Sequence, residues 1–135
     1  MSRSGYIDDG DDQWAMIRWR GAVESAIKGV RGQTLLKELI VALDALEIKR
    51  LISKDLIREG EVCALGALGV KRGLDMKDID PEDRETVANT FGIAPALAAE
   101  IMWMNDEWNL WESGEERFRR MRAWILEQIK PEECK

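Results

Sequence analysis

The sequence has 135 residues, of which 45% are hydrophobic and 34% charged, a balance typical of one globular domain with a single core. Its formal net charge is −6, and it contains no histidine. The lack of histidine removes the usual general base and the commonest metal ligand at neutral pH. Cys63 and Cys134 are far apart and lack zinc-site spacing, so we expect two reduced thiols, no metal and no cofactor.

Charge is distributed unevenly along the chain. Residues 13–74 carry net +4, residues 75–114 net −8 and residues 115–130 net +2. This pattern indicates charge pairing within the fold or, alternatively, an acidic face for a basic partner. No apolar run approaches the roughly 20 residues that cross a bilayer, and the first residues lack a signal-peptide core. We therefore expect a cytoplasmic protein with no membrane role.

Apolar spacing predicts an all-α bundle of five to six helices, built as one domain over 12–130. Residues 1–11 are expected to form a flexible acidic arm, and 131–135 a frayed tail. A first helix is predicted from Trp14 to Lys28, and Gly29 and Gly32 then indicate a stop and a restart. The second helix is predicted over 33–47, where leucine and isoleucine form one wide stripe.

The segment 48–60 is compatible with a helix or with a short β-hairpin around 48–63 that turns at Glu59-Gly60. Residues 62–72 are rich in Ala and Gly, which suits close helix–helix contact within the fold or between copies of a homo-oligomer.

Capping signals place the remaining helices. Asp80 followed by Pro81 predicts a helix start, with Gly92 as its end. Another helix is expected from about 94 to 105, followed by a loop over 106–112. Ser113 with Glu116 forms a predicted capping box for a last helix over 114–130.

The segment 85–101 has the spacing of a helix-turn-helix, with Ala88, Gly92 and Ile93 at the turn. A DNA-reading second helix needs polar and basic side chains, whereas this one offers mainly alanine and no Lys or Arg. We therefore expect the shape of the motif without DNA binding.

Tryptophan is abundant, with six residues, and three of them lie in or beside the acidic loop. Exposed tryptophan within a polar ring is typical of hot spots for protein partners. The candidate protein-interaction residues are Trp103, Asp106, Glu107, Trp108, Trp111 and Glu112.

A basic run in the last helix is the alternative binding surface. Arg117, Arg119, Arg120 and Arg122 could contact nucleic acid, helped by basic residues of the first helix. Flanking glutamates favour instead a salt-bridged helix face.

No catalytic constellation appears: the sequence has no nucleophile motif, and no spacing singles out a pair of carboxylates. We expect a non-enzymatic protein.

Several short motifs resemble those of a family of small proteins encoded by bacteriophages and prophages. They are Ser2-Arg3-Ser4-Gly5-Tyr6 with Asp8-Asp9, Trp19-Arg20-Gly21-Ala22-Val23, Arg31-Gly32-Gln33, Gly60-Glu61-Val62-Cys63-Ala64-Leu65-Gly66, Phe91-Gly92-Ile93-Ala94 and Asn105-Asp106-Glu107. The resemblance brings no activity or site residue with it. It implies an accessory protein that binds a host or phage protein in the bacterial cytoplasm.

Overall fold

A computed structural model of the protein describes residues 13–107 and 111–131. Within them it contains six helices and one two-stranded antiparallel hairpin, which confirms the predominantly helical fold. The predicted arm and most of the predicted tail lie outside the described residues. The elements are α1 Gln13–Lys28, α2 Val30–Asp44, β1 Ile57–Arg58, β2 Glu61–Val62, α3 Ala64–Lys71, α4 Arg84–Phe91, α5 Pro95–Asp106 and α6 Gly114–Gln128.

The break between the first two helices lies at one glycine rather than two. Gly29 is the extended N-cap of α2, which begins at Val30 and ends at Asp44, earlier than predicted at both ends. Gly32 lies inside α2, and a Cβ there would collide with the carbonyl oxygen of Ala26. Gly32 therefore permits close packing of α2 on the end of α1 and does not interrupt the helix.

The ambiguous segment before α3 contains the hairpin. Ile57 pairs with Val62, and Arg58 pairs with Glu61. Glu59 and Gly60 form the two-residue connection, with φ of 51° and 80°. Two successive positive φ values match the turn that suits the twist of paired strands, which is why the chain reverses here.

Small residues in α3 are used inside the fold. Residues 64–69 are all buried, and a Cβ on Gly66 would collide with the carbonyl oxygen of Leu56. A Cβ on Gly69 would collide with Met76. The small residues of this helix therefore serve close contact within the fold.

The fourth helix begins three residues later than predicted. Asp83, not Asp80, is its N-cap and accepts a hydrogen bond from the backbone N–H of Thr86 at 3.2 Å. Asp80 instead accepts from the N–H of Glu82 in the preceding turn. Gly92 ends the helix in the left-handed conformation, as predicted.

The central helix is α5. It packs on α1, α3, α4 and α6, and nine of its twelve residues are buried. Such all-round burial explains why most residues of α5 are apolar, whichever side of the helix they lie on. It meets α4 at a bend of 106°, which confirms the helix-turn-helix shape. The second helix of this motif is α5, which lies in the core and therefore presents no face to a DNA groove.

A buried glutamine on α2 links the ends of α1 and α6. The Gln33 side chain donates to the carbonyl oxygens of Ile27 at 2.7 Å and Gln128 at 3.0 Å, and accepts from the N–H of Lys130 at 2.8 Å. These bonds hold the end of α1 against the end of α6.

No single helix among the described residues has both the length and the apolar composition needed to cross a membrane. The α4–α5 pair passes that test only jointly, across its bend.

Candidate protein-interaction surface

The connection between α5 and α6 is held by a buried amide. Asn105 accepts a hydrogen bond from the N–H of Ala64 at 3.1 Å and donates to the carbonyl oxygen of Ile52 at 2.9 Å. Its neighbour Asp106 accepts from Asn105 at 2.7 Å and from the N–H of Lys54 at 3.0 Å. The end of α5 is thereby fixed to both sides of the hairpin segment.

A buried arginine attaches α6 to the same place. The Arg117 guanidinium donates to the carbonyl oxygens of Asn105 and Leu51, both at 3.0 Å. It also lies 3.5 Å from the carboxylate of Glu112, whose side chain is only 3% exposed. Arg120 donates to the same carboxylate at 2.9 Å. One buried carboxylate is thus shared by two cations, which offsets the cost of its desolvation.

Burial controls the titration of two side chains near this network. It raises the pKa of the Asp106 carboxyl, against the hydrogen bonds from Lys54 and Asn105 that favour the ionised form. Burial also raises the pKa of the Cys63 thiol to about 12. Cys63 accepts from the N–H of Gly66 as the N-cap of α3, so its role is structural.

Trp111 lies in the connection between α5 and α6, and its side chain is 95% exposed. The next residue is the anchored Glu112. Ser113 then starts α6, and its predicted capping box with Glu116 is confirmed. A large aromatic side chain is therefore displayed next to a backbone that is fixed on its C-terminal side.

The other predicted interaction residues do not form a ring around Trp111. Asp106 and Glu112 are turned inward and were wrongly predicted as surface acids, because each has buried polar partners. Trp103 packs against the core, and Glu107 is half-buried. Trp108 lies outside the described residues.

Three of the four arginines in the run of α6 pair with acids of the same chain, which favours the salt-bridged helix face over the nucleic-acid face. Arg117 and Arg120 are engaged by Glu112, and Arg122 donates to Asp44 at 2.7 Å. The pKa of Asp44 is lowered, mainly by that hydrogen bond. Arg119 is the exposed member of the run, and one cation gives little phosphate affinity.

Exposed acids gather elsewhere, in the segment 75–85 before and at the start of α4. The acidic face predicted for the whole of 75–114 is therefore confined to this stretch. No group of three or more potential metal ligands occurs in the part of the chain that the structure describes.

Two residues of importance were missed from the sequence. Asn105 organises the network, and the available signal was a lone amide at the end of an apolar helix. Trp14 is 71% exposed on the outer side of α1. The signal for Trp14 was its position opposite the buried stripe that contains Trp19 and Val23.

Comparisons with family models, curated proteins and solved structures found no match to this chain.

Proposed function

We propose that this protein is a non-enzymatic accessory protein, encoded by a bacteriophage or prophage, that binds a protein partner in the bacterial host cytoplasm. The observation that carries the proposal is Trp111, almost fully exposed beside an anchored backbone. The motifs that resemble those of phage-encoded proteins support the cellular setting, and host modulation or counter-defence are the roles that would fit it.

The energetic argument is one of pre-organisation. An exposed tryptophan keeps a large apolar surface in contact with water, and that unfavourable hydration is released when a partner pocket covers the ring. Because Glu112 and the capping box already order the adjoining backbone, binding there incurs less conformational entropy loss than it would on a mobile loop. Trp111 itself thus has the exposure and the ordered attachment expected of a hot-spot residue.

The neighbouring chemistry supports binding over catalysis. The polar groups near Trp111 are committed to the fold: Glu112 to two arginines, and Arg117 to two carbonyl oxygens. The Cys63 thiol is buried and its pKa is raised, which disfavours the nucleophilic thiolate.

The test is quantitative affinity purification from host cells, with wild type, Trp111→Ala and Val30→Ala compared side by side. Val30 is a matched control because it is apolar and 85% exposed on a different element. We expect a partner that wild type and Val30→Ala retain and Trp111→Ala loses. With the purified partner, affinity should fall at least about 30-fold, as for a hot-spot residue. Equal recovery by all three proteins would contradict the proposal.

A further inference from the structure

The outer side of α1 carries a second, separate surface. Only Ala15, Trp19 and Val23 of this helix are buried. The opposite side exposes Trp14 and also Ile17, which is 56% exposed. The inward contacts with α5 and α2 hold the helix in place, so its outer side is a fixed surface.

A glycine lies in the middle of that surface without a role in the described fold. A Cβ on Gly21 would meet nothing within 4 Å among the described residues, whereas Gly32 and Gly66 are required by close backbone contacts. Glycine inside a helix costs about 1 kcal/mol relative to alanine. Close approach of another backbone from outside would explain the residue.

The charges around Gly21 are arranged so that a second copy of the same helix complements them. Arg18 and Glu24 lie three residues before and after Gly21, and Trp14 and Lys28 lie seven before and after it. All four are exposed. Neither Arg18 nor Glu24 forms an ion pair within the described chain.

If a two-fold axis passes beside Gly21 and relates two copies of α1, residues equally spaced before and after Gly21 face each other across the interface. Two antiparallel copies of α1 would then place Arg18 of each copy opposite Glu24 of the other, and Trp14 of each opposite Lys28 of the other. The first pairing is an ion pair, and the second can be a cation–π contact. Each contact forms twice.

We propose that the protein forms an antiparallel homodimer through the outer face of α1, with Gly21 at the crossing point. A helix of 16 residues spans about 24 Å. Because one pair of such helices buries less than the roughly 1,200 Å² of standard interfaces, the dimer is weak and concentration-dependent. This inference does not rest on the proposed function, since Trp111 lies on the α5–α6 connection.

The first test is sedimentation velocity of the full chain from low micromolar to near-millimolar concentration. Wild type is expected to shift from monomer to dimer. Gly21→Leu should stay monomeric throughout, because its side chain separates the helices. Its melting temperature should equal or exceed that of wild type, since leucine is the better helix former and meets nothing in the monomer.

The second test exchanges the charges of Arg18 and Glu24 to show that the bound partner is a second copy of α1. Arg18→Glu should weaken dimerisation about tenfold or more by opposing two acids, and the double variant Arg18→Glu with Glu24→Arg should restore it. Arg20→Glu is the matched control, since Arg20 is exposed on the same helix but about 100° away from Gly21 around its axis. It should leave the dimer almost unchanged.

Three results would overturn the inference. If wild type stays monomeric at every concentration, no second copy binds the outer face of α1. If such a monomer loses thermal stability on Gly21→Leu, another part of the same chain covers α1. A dimer that persists in Gly21→Leu, or that the charge exchange fails to restore, uses a different surface or register.

Discussion

Replacing Arg117 by alanine tests the buried network that holds the α5–α6 connection. The substitution removes two hydrogen bonds from a charged donor, to the carbonyl oxygens of Asn105 and Leu51. Each bond of this kind contributes about 1.5–3 kcal/mol. Glu112 loses one of its two cations but keeps Arg120 at 2.9 Å, so its carboxylate is not left unpaired. We therefore expect a loss of about 3–4 kcal/mol, within the range for breaking a buried ionic contact.

The assay is urea unfolding followed by far-ultraviolet circular dichroism, with the midpoint shifting and the slope unchanged. Arg119→Ala is the control, since Arg119 is the exposed arginine of the same helix, and it should change the free energy of unfolding by less than about 0.5 kcal/mol. Arg117→Lys should fall between the two, because an ammonium group cannot reproduce the forked geometry of guanidinium. If Arg117→Ala were as stable as Arg119→Ala, the network would not stabilise the fold and the reasoning would be refuted.

Three further predictions concern the interior. Gly66→Ala should lower the free energy of unfolding by about 2 kcal/mol or more in urea titration, because its Cβ meets the carbonyl oxygen of Leu56. The raised pKa of Asp106 means that the folded state holds its proton more tightly than the unfolded state, so this carboxyl lowers stability as pH rises above its ordinary value of 3.8. Asp106→Asn should therefore gain stability relative to wild type from acid to neutral pH, measured by parallel unfolding curves. In a Cys134→Ser background, a thiol reagent should label Cys63 only on unfolding, because the thiol is buried with a pKa of about 12.

Each of these has a contradicting outcome. A Gly66→Ala protein as stable as wild type would mean that the helix can move away from the hairpin segment at little cost. A constant stability difference between Asp106→Asn and wild type across pH would show that burial does not raise the pKa of this carboxyl. Rapid labelling of Cys63 in the native protein would show that the N-terminus of α3 opens readily.

Local signals were sufficient where a few neighbouring residues decide the structure. Ser113 with Glu116 marked the start of α6, and Gly92 marked the end of α4. Asp80 misled because an aspartate before proline also closes a turn, and Asp83 was equally able to cap. Choosing between two adjacent caps depends on how α4 packs, which the local sequence does not contain.

The candidate site was harder to predict because long-range pairing decides its exposure. Glu112 looked like a solvated acid of a loop, yet Arg117 and Arg120 reach back and bury it. The Asp106 carboxylate is held in the interior by a hydrogen bond from the backbone N–H of Lys54, which lies 52 residues earlier in the chain. Trp111 is exposed, as predicted. Trp108, the other tryptophan of that loop, lies outside the described residues.

The most direct test of the central proposal is partner capture that depends on Trp111. Tagged wild type, Trp111→Ala and Val30→Ala, each shown to have the same melting temperature, are expressed in the host and their bound proteins quantified by mass spectrometry. We predict one host or phage protein that is enriched by wild type and Val30→Ala and reduced to background by Trp111→Ala. A bound protein that all three recover equally, or the absence of any enriched protein, would contradict a binding role for the exposed tryptophan.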